Sequence, residues 1–244
     1  MENPALIALS RQTALRRNLD IVANNVANVS TKGYRAEQLL FSEYLEKLKP
    51  NENRVAFTQD LAVAHNLQAG PMEATGNAFD MALDGQGFFV IQTPGGLRYT
   101  RDGAFSLDVE NRLVTRSGMP VLDINNNEIR VPADDPGIDV DERGVIRSGT
   151  GDEIASLRIV QFENEFGLRK AGANTFSSEN DPTPAANFRL ARGMLEGSNV
   201  VPVVELTRMI EIQRAYESTQ RMIDQEQERQ REAVRRLGRA PGTA

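Results

Sequence analysis

Ala23-Asn24-Asn25-Val26-Ala27-Asn28-Val29-Ser30-Thr31-Lys32-Gly33-Tyr34 is the stretch on which the fold of this chain turns. Its apolar members keep the three- and four-residue steps of one helix face, yet Asn24, Asn25 and Asn28 stand among them. A buried amide without partners costs about 1–3 kcal/mol, and its known advantage is to fix the register between helices. The stretch therefore predicts a helix that meets a partner in one specified geometry; the bland alternative is that the amides face water. Gly33 after Ser30-Thr31-Lys32 predicts a left-handed C-cap with Tyr34 as the following contact, so the helix is expected to run that far.

Upstream, Asn3 is an N-cap and Pro4 falls in the first turn, where its missing N–H costs nothing. Ala8, Leu15, Leu19, Val22, Val26 and Val29 make one seam, with Gln12 as its polar exception. Leu6, Ile7, Leu9, Ala14, Ile21, Ala23 and Ala27 lie beside and behind it, more apolar circumference than one neighbour covers. The first residues lack a basic lead-in and their apolar stretch breaks at Ser10-Arg11, which argues against a cleaved secretory signal.

Downstream, residues 35–71 read as a connecting segment, with 35–48 expected to be a short helix or turn-rich run before the break at Pro50-Asn51-Glu52-Asn53. From Met72 the texture changes. Phe88-Phe89-Val90-Ile91 is followed by Pro94-Gly95-Gly96, Leu97-Arg98-Tyr99-Thr100 by Arg101-Asp102-Gly103, and Arg112-Leu113-Val114-Thr115 by Ser117-Gly118: short strands punctuated by turns, an antiparallel meander. Further strands are expected at 119–124, 128–131, 137–141, 144–147 and 154–163, with a hairpin turn at Asp141-Glu142-Arg143-Gly144 and an irregular region at 170–188.

After Glu196-Gly197, Ser198 or Asn199 can cap a second helix and Pro202 fits its first turn. Leu206, Met209, Gln213, Tyr216, Gln220 and Ile223 keep three-four spacing, and Val203, Ile210 and Ile212 add width. From 200 to 237 this helix would extend about 55 Å, at about 1.5 Å per residue. The reading is thus an α+β chain: helices at 1–34 and 198–237 forming a coiled-coil-like helical domain, a central β-rich domain of antiparallel strands at 72–197, and a charged tail to 244.

Composition narrows the function classes. The 244 residues carry a net charge of -6, which offers nucleic acid no overall attraction. With no Cys and one His, thiolate chemistry and Cys/His zinc sites are excluded, and His65 alone makes no metal ligand set. No apolar run reaches the roughly 18–20 residues that cross a bilayer, so the chain is not expected to span one. Asp123-Ile124-Asn125-Asn126-Asn127-Glu128, reaching Asp134, imitates a calcium loop but lacks the required Gly and the bidentate Glu, and reads better as a turn. Gly85-Gln86-Gly87 lacks the third glycine of a dinucleotide site. Asp134, Asp135, Asp139, Asp141, Glu142, Asp152 and Glu153 could in principle supply the paired carboxylates of a glycosidase, but they fall at turn positions of a meander. No catalytic residue, cofactor or metal site is expected.

What remains is assembly. The two helices stand apart from the sheet in pattern, and a two-helix pair leaves apolar positions of the first helix in water, at roughly 25 cal/mol per Å². The alternative is an ordinary compact α+β domain. The expected interface comprises Leu15, Leu19, Val22, Asn24, Asn25, Val26, Asn28 and Val29 from the first helix, with Leu206, Met209, Ile210, Gln213, Tyr216 and Ile223 from the last.

The opening stretch, Ala23 to Tyr34, resembles the N-terminal signature of the flagellar basal-body rod and hook proteins. Two further stretches are similar to the same family: Asp84-Gly85-Gln86-Gly87-Phe88-Phe89-Val90 with Tyr99-Thr100-Arg101-Asp102-Gly103, and Leu195-Glu196-Gly197-Ser198-Asn199-Val200 with Met209-Ile210-Glu211-Ile212-Gln213-Arg214-Ala215-Tyr216-Glu217. The opening Met-Glu-Asn and Leu9-Ser10-Arg11-Gln12 look most like its proximal rod members, with distal rod members as the alternative. The resemblance implies that the termini form an inner helical tube and the β region an outer domain. It also implies export by the flagellar apparatus with an uncleaved N-terminus, a periplasmic place in a rotating shaft, and contacts with itself and with other proximal and distal rod subunits. After Ile223 the chain departs from the family pattern, since charge replaces the expected apolar continuation.

Overall fold

The computed structural model describes residues 3–46, 55–132, 138–163 and 167–237. The chain forms two compact units: Met1–Ala27 with Glu37–Ala64 and Val201–Ala244, and Asn28–Ala36 with His65–Val200. Both are built from segments distant in sequence, and the architecture is α+β, as the pattern predicts.

The first unit holds α1 (Asn3–Ala27) and α2 (Pro202–Leu237). They lie antiparallel, because Gln12 of α1 hydrogen-bonds Gln220 of α2 while Asn25 bonds Glu205. Here the expected helix end requires correction. α1 stops at Ala27, six residues before Gly33, and Asn28–Thr31 close a turn through Thr31 N–H to the Asn28 carbonyl at 3.1 Å. Gly33 does take the left-handed conformation (φ 64°), but its N–H goes to the Glu196 carbonyl at 2.8 Å and not back to the helix.

A second correction concerns 35–48. Glu37–Glu46 is a strand paired with Val55–His65, not a short helix. The partner explains why: Val55, Phe57, Leu61 and Val63 alternate with polar or small residues at period two, interrupted at Gln59, and a strand needs a second strand beside it. Leu39-Leu40 and Tyr44-Leu45 are compatible with either period, so this pairing decides.

The second unit is the β unit. Its six-stranded sheet runs Arg169–Lys170, Thr175–Ser177, Gly96–Thr100, Phe88–Thr93, Ile159–Gln161, Thr183–Pro184. Phe88–Thr93 is central, with Phe89 opposite Thr100 and Val90 opposite Tyr99. Alternation sends Phe89 and Ile91 into one core with Met81, Leu83, Leu113 and Ile146, and Phe88 and Val90 into another with Tyr99, Phe162 and Phe176. A strand covered on both faces has no polar side, which is why its sequence is an unbroken apolar run.

Smaller ladders surround it. Met81–Gly85 pairs Phe188–Arg192, and Met72–Ala74 pairs Met194–Glu196. The expected Asp141–Gly144 turn is present, closed by the Gly144 N–H on the Asp141 carbonyl at 3.0 Å. The expected strands at 119–124 and 128–131 reduce to isolated bridges such as Ile91 with Val121 and Leu122 with Glu128. The region 170–188, expected irregular, supplies two short strands of the main sheet, Thr175–Ser177 within it and Thr183–Pro184 at its edge, too short to show a period of their own.

Candidate assembly interface

The seam between α1 and α2 is polar at fixed points. Ala8 and Val22 are buried on α1, with Leu15 and Leu19 half-buried. On α2 the inward positions are Glu205, Ile212 and Thr219 at seven-residue steps, with Met209, Tyr216 and Ile223 half-buried beside them. This repeat keeps one side of a helix against its partner. Of the expected row Leu206, Met209, Gln213, Tyr216, Gln220 and Ile223, the seam keeps Met209, Tyr216, Gln220 and Ile223, while Leu206 and Gln213 are exposed and Glu205, Ile212 and Thr219 take the most buried places. The reason is the buried Asn25: it needs a charged or polar partner, and Glu205 supplies it.

Asn25 is fully buried and its carboxamide is nearly saturated. Its Oδ1 accepts the Glu37 N–H at 2.9 Å, while Nδ2 donates to the Glu37 carbonyl at 2.9 Å and to Glu205 Oε2 at 3.1 Å. One side chain joins the end of α1, the start of α2 and the first residue of the hairpin. Gln12 with Gln220 is a second polar pair on the same seam. Such amides fix register at a cost in stability.

In the β unit the corresponding centre is Glu196. Arg35 and Glu196 are each 1% exposed, with Arg35 Nη2 2.7 Å from Glu196 Oε1 and Arg101 Nη1 3.4 Å from Oε2. The carboxylate also accepts the Gly70 N–H at 3.1 Å. Arg101 donates to the carbonyls of Leu83 (3.0 Å) and Gly85 (2.6 Å), and Arg35 to that of Gln68. Buried charges persist only when hydrogen-bonded in this way. Asn199 repeats the clamp of Asn25: its Oδ1 accepts the Ala36 N–H at 2.7 Å and its Nδ2 donates to the carbonyls of Asn66 and Gln68 at 2.7 and 2.8 Å. Ser198 or Asn199 was expected to cap α2; the Asn199 carboxamide is taken by Ala36 and the 66–68 backbone instead. Nearby, burial pushes the Asp102 carboxyl above its ordinary range, against the opposing pull of the Ala104 N–H.

The other candidate chemistries resolve into turns and ion pairs. Asp123 Oδ1 accepts the N–H groups of Asn125 (2.8 Å) and Asn127 (2.7 Å), closing a tight turn with Asn126 at φ 66°. Asp139 pairs with Arg192 at 2.6 Å, Glu142 with Arg189 at 3.5 Å, and Asp141 holds the N–H groups of Arg143 and Val145. Asp134 and Asp135 lie outside the described residues. Among the described residues no three His, Cys, Asp or Glu side chains gather to hold a metal ion, and no helix is long and apolar enough to cross a membrane.

Of the residues expected at an assembly interface, Val22 and Asn25 are buried within the helical unit, and Leu15, Leu19, Val26, Met209, Tyr216 and Ile223 are half-buried. Val29 belongs to the β unit, against Tyr34, Ala36 and Val200, and Asn28 is half-buried in its turn. Asn24, Leu206, Ile210 and Gln213 are exposed. Leu206 and Ile210 continue from Val203 as one stripe, 74, 46 and 53% exposed in chain order, with Leu9 of α1 also open. Glu205, Thr219, Arg35, Arg101 and Glu196 escaped attention because polar residues at apolar-looking positions read as surface.

Three family descriptions match along the chain: "Flagella basal body rod protein" at residues 6–35, "Flagellar hook protein FlgE/F/G D1 domain" at 82–148 and "Flagellar basal body rod FlgEFG protein C-terminal" at 191–236. The flagellar basal-body rod protein FlgF of Caulobacter vibrioides is 41% identical over 98% of this chain and 99% of its own length. That of Mesorhizobium japonicum is 33% identical over the same shares. The FlgG protein of Agrobacterium fabrum is 32% identical over 89% of this chain and 92% of its own. The matched segments take in Asn25, Arg35, Arg101 and the α2 stripe, and the chain belongs to the flagellar basal-body rod protein family.

Proposed function

We propose that the chain is a structural subunit of the bacterial flagellar rod, that it polymerises through its terminal helices, and that it transmits torque without catalysing a reaction. The observation that carries this is the pairing of opposites on α2. One face is locked to α1 by polar contacts of fixed register; another presents Val203, Leu206 and Ile210 to water. A folded chain tolerates such a stripe when a neighbour covers it.

The proximal rod is the place this reading favours, since the FlgF relatives cover 98% of the chain, against 88 and 89% for the FlgG proteins of Bacillus subtilis and Agrobacterium fabrum. Delivery through the flagellar export apparatus and a periplasmic position beside other rod subunits follow from the same reading. The test separates two variants. Val22→Asp opens the α1–α2 seam itself, while Ile210→Asp changes an exposed position only. Both are expected to abolish motility and incorporation into purified basal bodies, and Ile210→Asp should leave the purified monomer folded. Motile cells carrying Ile210→Asp in their rods would refute the interface.

A further inference from the structure

A cavity of about 320 Å³ lies wholly within the β unit, along the strand Ile159–Gln161 and its edge partner Thr183–Pro184. Its lining is apolar, with Ile159 and Val160 on one run, Pro182 and Pro184 on the other, and Phe188 half-buried beside them. Ile124, 62% exposed, stands at its border. Among the described residues the only charged side chains that line it are Arg143 and Arg158, in a chain whose net charge is -6. Arg143 is exposed on a turn whose backbone is fixed, its N–H held by Asp141 at 2.9 Å. Arg158 donates only to the neutral amide oxygen of Asn126, and neither guanidinium has an ion pair among the described residues. The nearby carboxylates are engaged or turned elsewhere: Glu142 pairs with Arg189 at 3.5 Å, and Asp123 is held by the N–H groups of its own turn. Asp181, beside Pro182, is exposed and does not line the groove.

We propose that this groove binds an extended segment of a partner protein that carries an acidic side chain with an apolar one two positions away. Arg143 and Arg158 take the carboxylate; Ile159, Pro184 and Phe188 take the apolar side chain. Charge complementarity selects the acid, because a guanidinium matches a carboxylate with paired N–H donors and no acidic side chain lines the groove to satisfy it. The shape selects an extended chain. The lining follows an antiparallel ladder, Val160 opposite Pro184 and Gln161 opposite Thr183, so the groove runs along strands. In an extended chain, residues two apart point to the same side, which sets the spacing of the acid and its apolar companion. The sheet edge does not supply the recognition. Pro184 has no N–H, and the Ala185 N–H is taken by the Ile159 carbonyl at 3.0 Å, so side chains decide.

The test is titration of the isotope-labelled full chain, followed by amide NMR, with the peptide acetyl-Leu-Ser-Glu-Ser-Leu-amide. Its counterpart with Gln in place of Glu, octanoate and inorganic phosphate are the other arms. The Glu peptide should shift the signals of Ile124, Arg158, Ile159 and Ala185. The Gln peptide should bind about tenfold more weakly, as loss of a charge-assisted hydrogen bond requires. Arg143→Gln should weaken the Glu peptide severalfold and leave the Gln peptide unchanged, whereas Arg147→Gln, at an exposed arginine outside the groove, should change neither. Arg158→Gln is the second variant, used if Arg143→Gln does not fold. Equal binding of the Glu and Gln peptides, shifts spread beyond the groove, or no shifts at all would overturn the proposal. Octanoate or phosphate moving these signals while the peptide does not would assign the groove to a free acid or anion and overturn the protein segment. No outcome bears on the terminal helices, so the rod assignment stands or falls separately.

Discussion

The carboxamide of Asn25 closes both backbone hydrogen bonds of Glu37, accepting its N–H and donating to its carbonyl at 2.9 Å each. A side chain at the end of α1 thereby stands in for a neighbouring strand at the start of the hairpin. Because Nδ2 also reaches Glu205, the same group sets where α2 begins against α1.

Replacing Asn25 by Ala removes the side-chain partner of both Glu37 backbone groups and one partner of the Glu205 carboxylate in a buried place, at about 1–3 kcal/mol. Amide hydrogen exchange of the purified monomer should show faster exchange in Glu37–Glu46 and the first turns of α2, with the β unit unchanged. Asn25→Asp should be worse than its size suggests, since it sets a second carboxylate beside Glu205.

Glu196→Gln removes the buried carboxylate that Arg35 and Arg101 share. Breaking a buried pair in this manner costs about 3–5 kcal/mol. Urea unfolding followed by tyrosine fluorescence should report a lower midpoint for the β unit, and an unchanged midpoint would show that the two guanidiniums are satisfied by carbonyls alone.

Gly33→Ala meets two obstacles. The backbone is left-handed there, at about 1–2 kcal/mol for an L side chain, and the new Cβ would lie 2.4 Å from the Arg101 carbonyl carbon. Low soluble yield and a lowered Tm are expected, whereas Gly118→Ala, with a similar φ of 78° and open space around it, should lose only the conformational part.

Asp102 gives a pH signature. Burial raises its folded-state pKa above the ordinary 3.8, so its ionised form is penalised in the folded chain. The penalty is absent below the unfolded pKa, grows as pH rises through the interval up to the raised folded value, and is complete above it. Asp102→Asn, which keeps an oxygen for the Ala104 N–H, should therefore raise Tm at pH 7. The two proteins should converge as pH falls below about 4.

The fold class was legible because periodicity carries it: 3.6 at both ends, short turn-bounded strands between. Of the expected α1 seam, Ala8 and Val22 are buried and Leu15, Leu19 and Val26 half-buried, while Val29 falls beyond the helix in the β unit. What escaped was decided by distant partners. Glu37–Glu46 became a strand because Val55–His65 lies beside it, and α1 ended at Ala27 because the Gly33 N–H is taken by Glu196, 163 positions later. On α2 the spacing pointed to Met209, Tyr216, Gln220 and Ile223 but also to Leu206 and Gln213, which are exposed, and the buried Asn25 explains why Glu205 faces inward instead. Of the polar residues that organise the units, Asn25 was marked by its place in an apolar row; Arg35 and Glu196 look like surface residues until the chain is folded.

Electron cryomicroscopy of intact basal bodies, at a resolution that shows side chains of this subunit, tests the central claim most directly. Val203, Leu206 and Ile210 are expected to be covered by helices of neighbouring subunits, with the Asn25–Glu37–Glu205 contacts preserved inside each copy. A rod in which those three side chains face solvent, and subunits touch only through their β units, would contradict it.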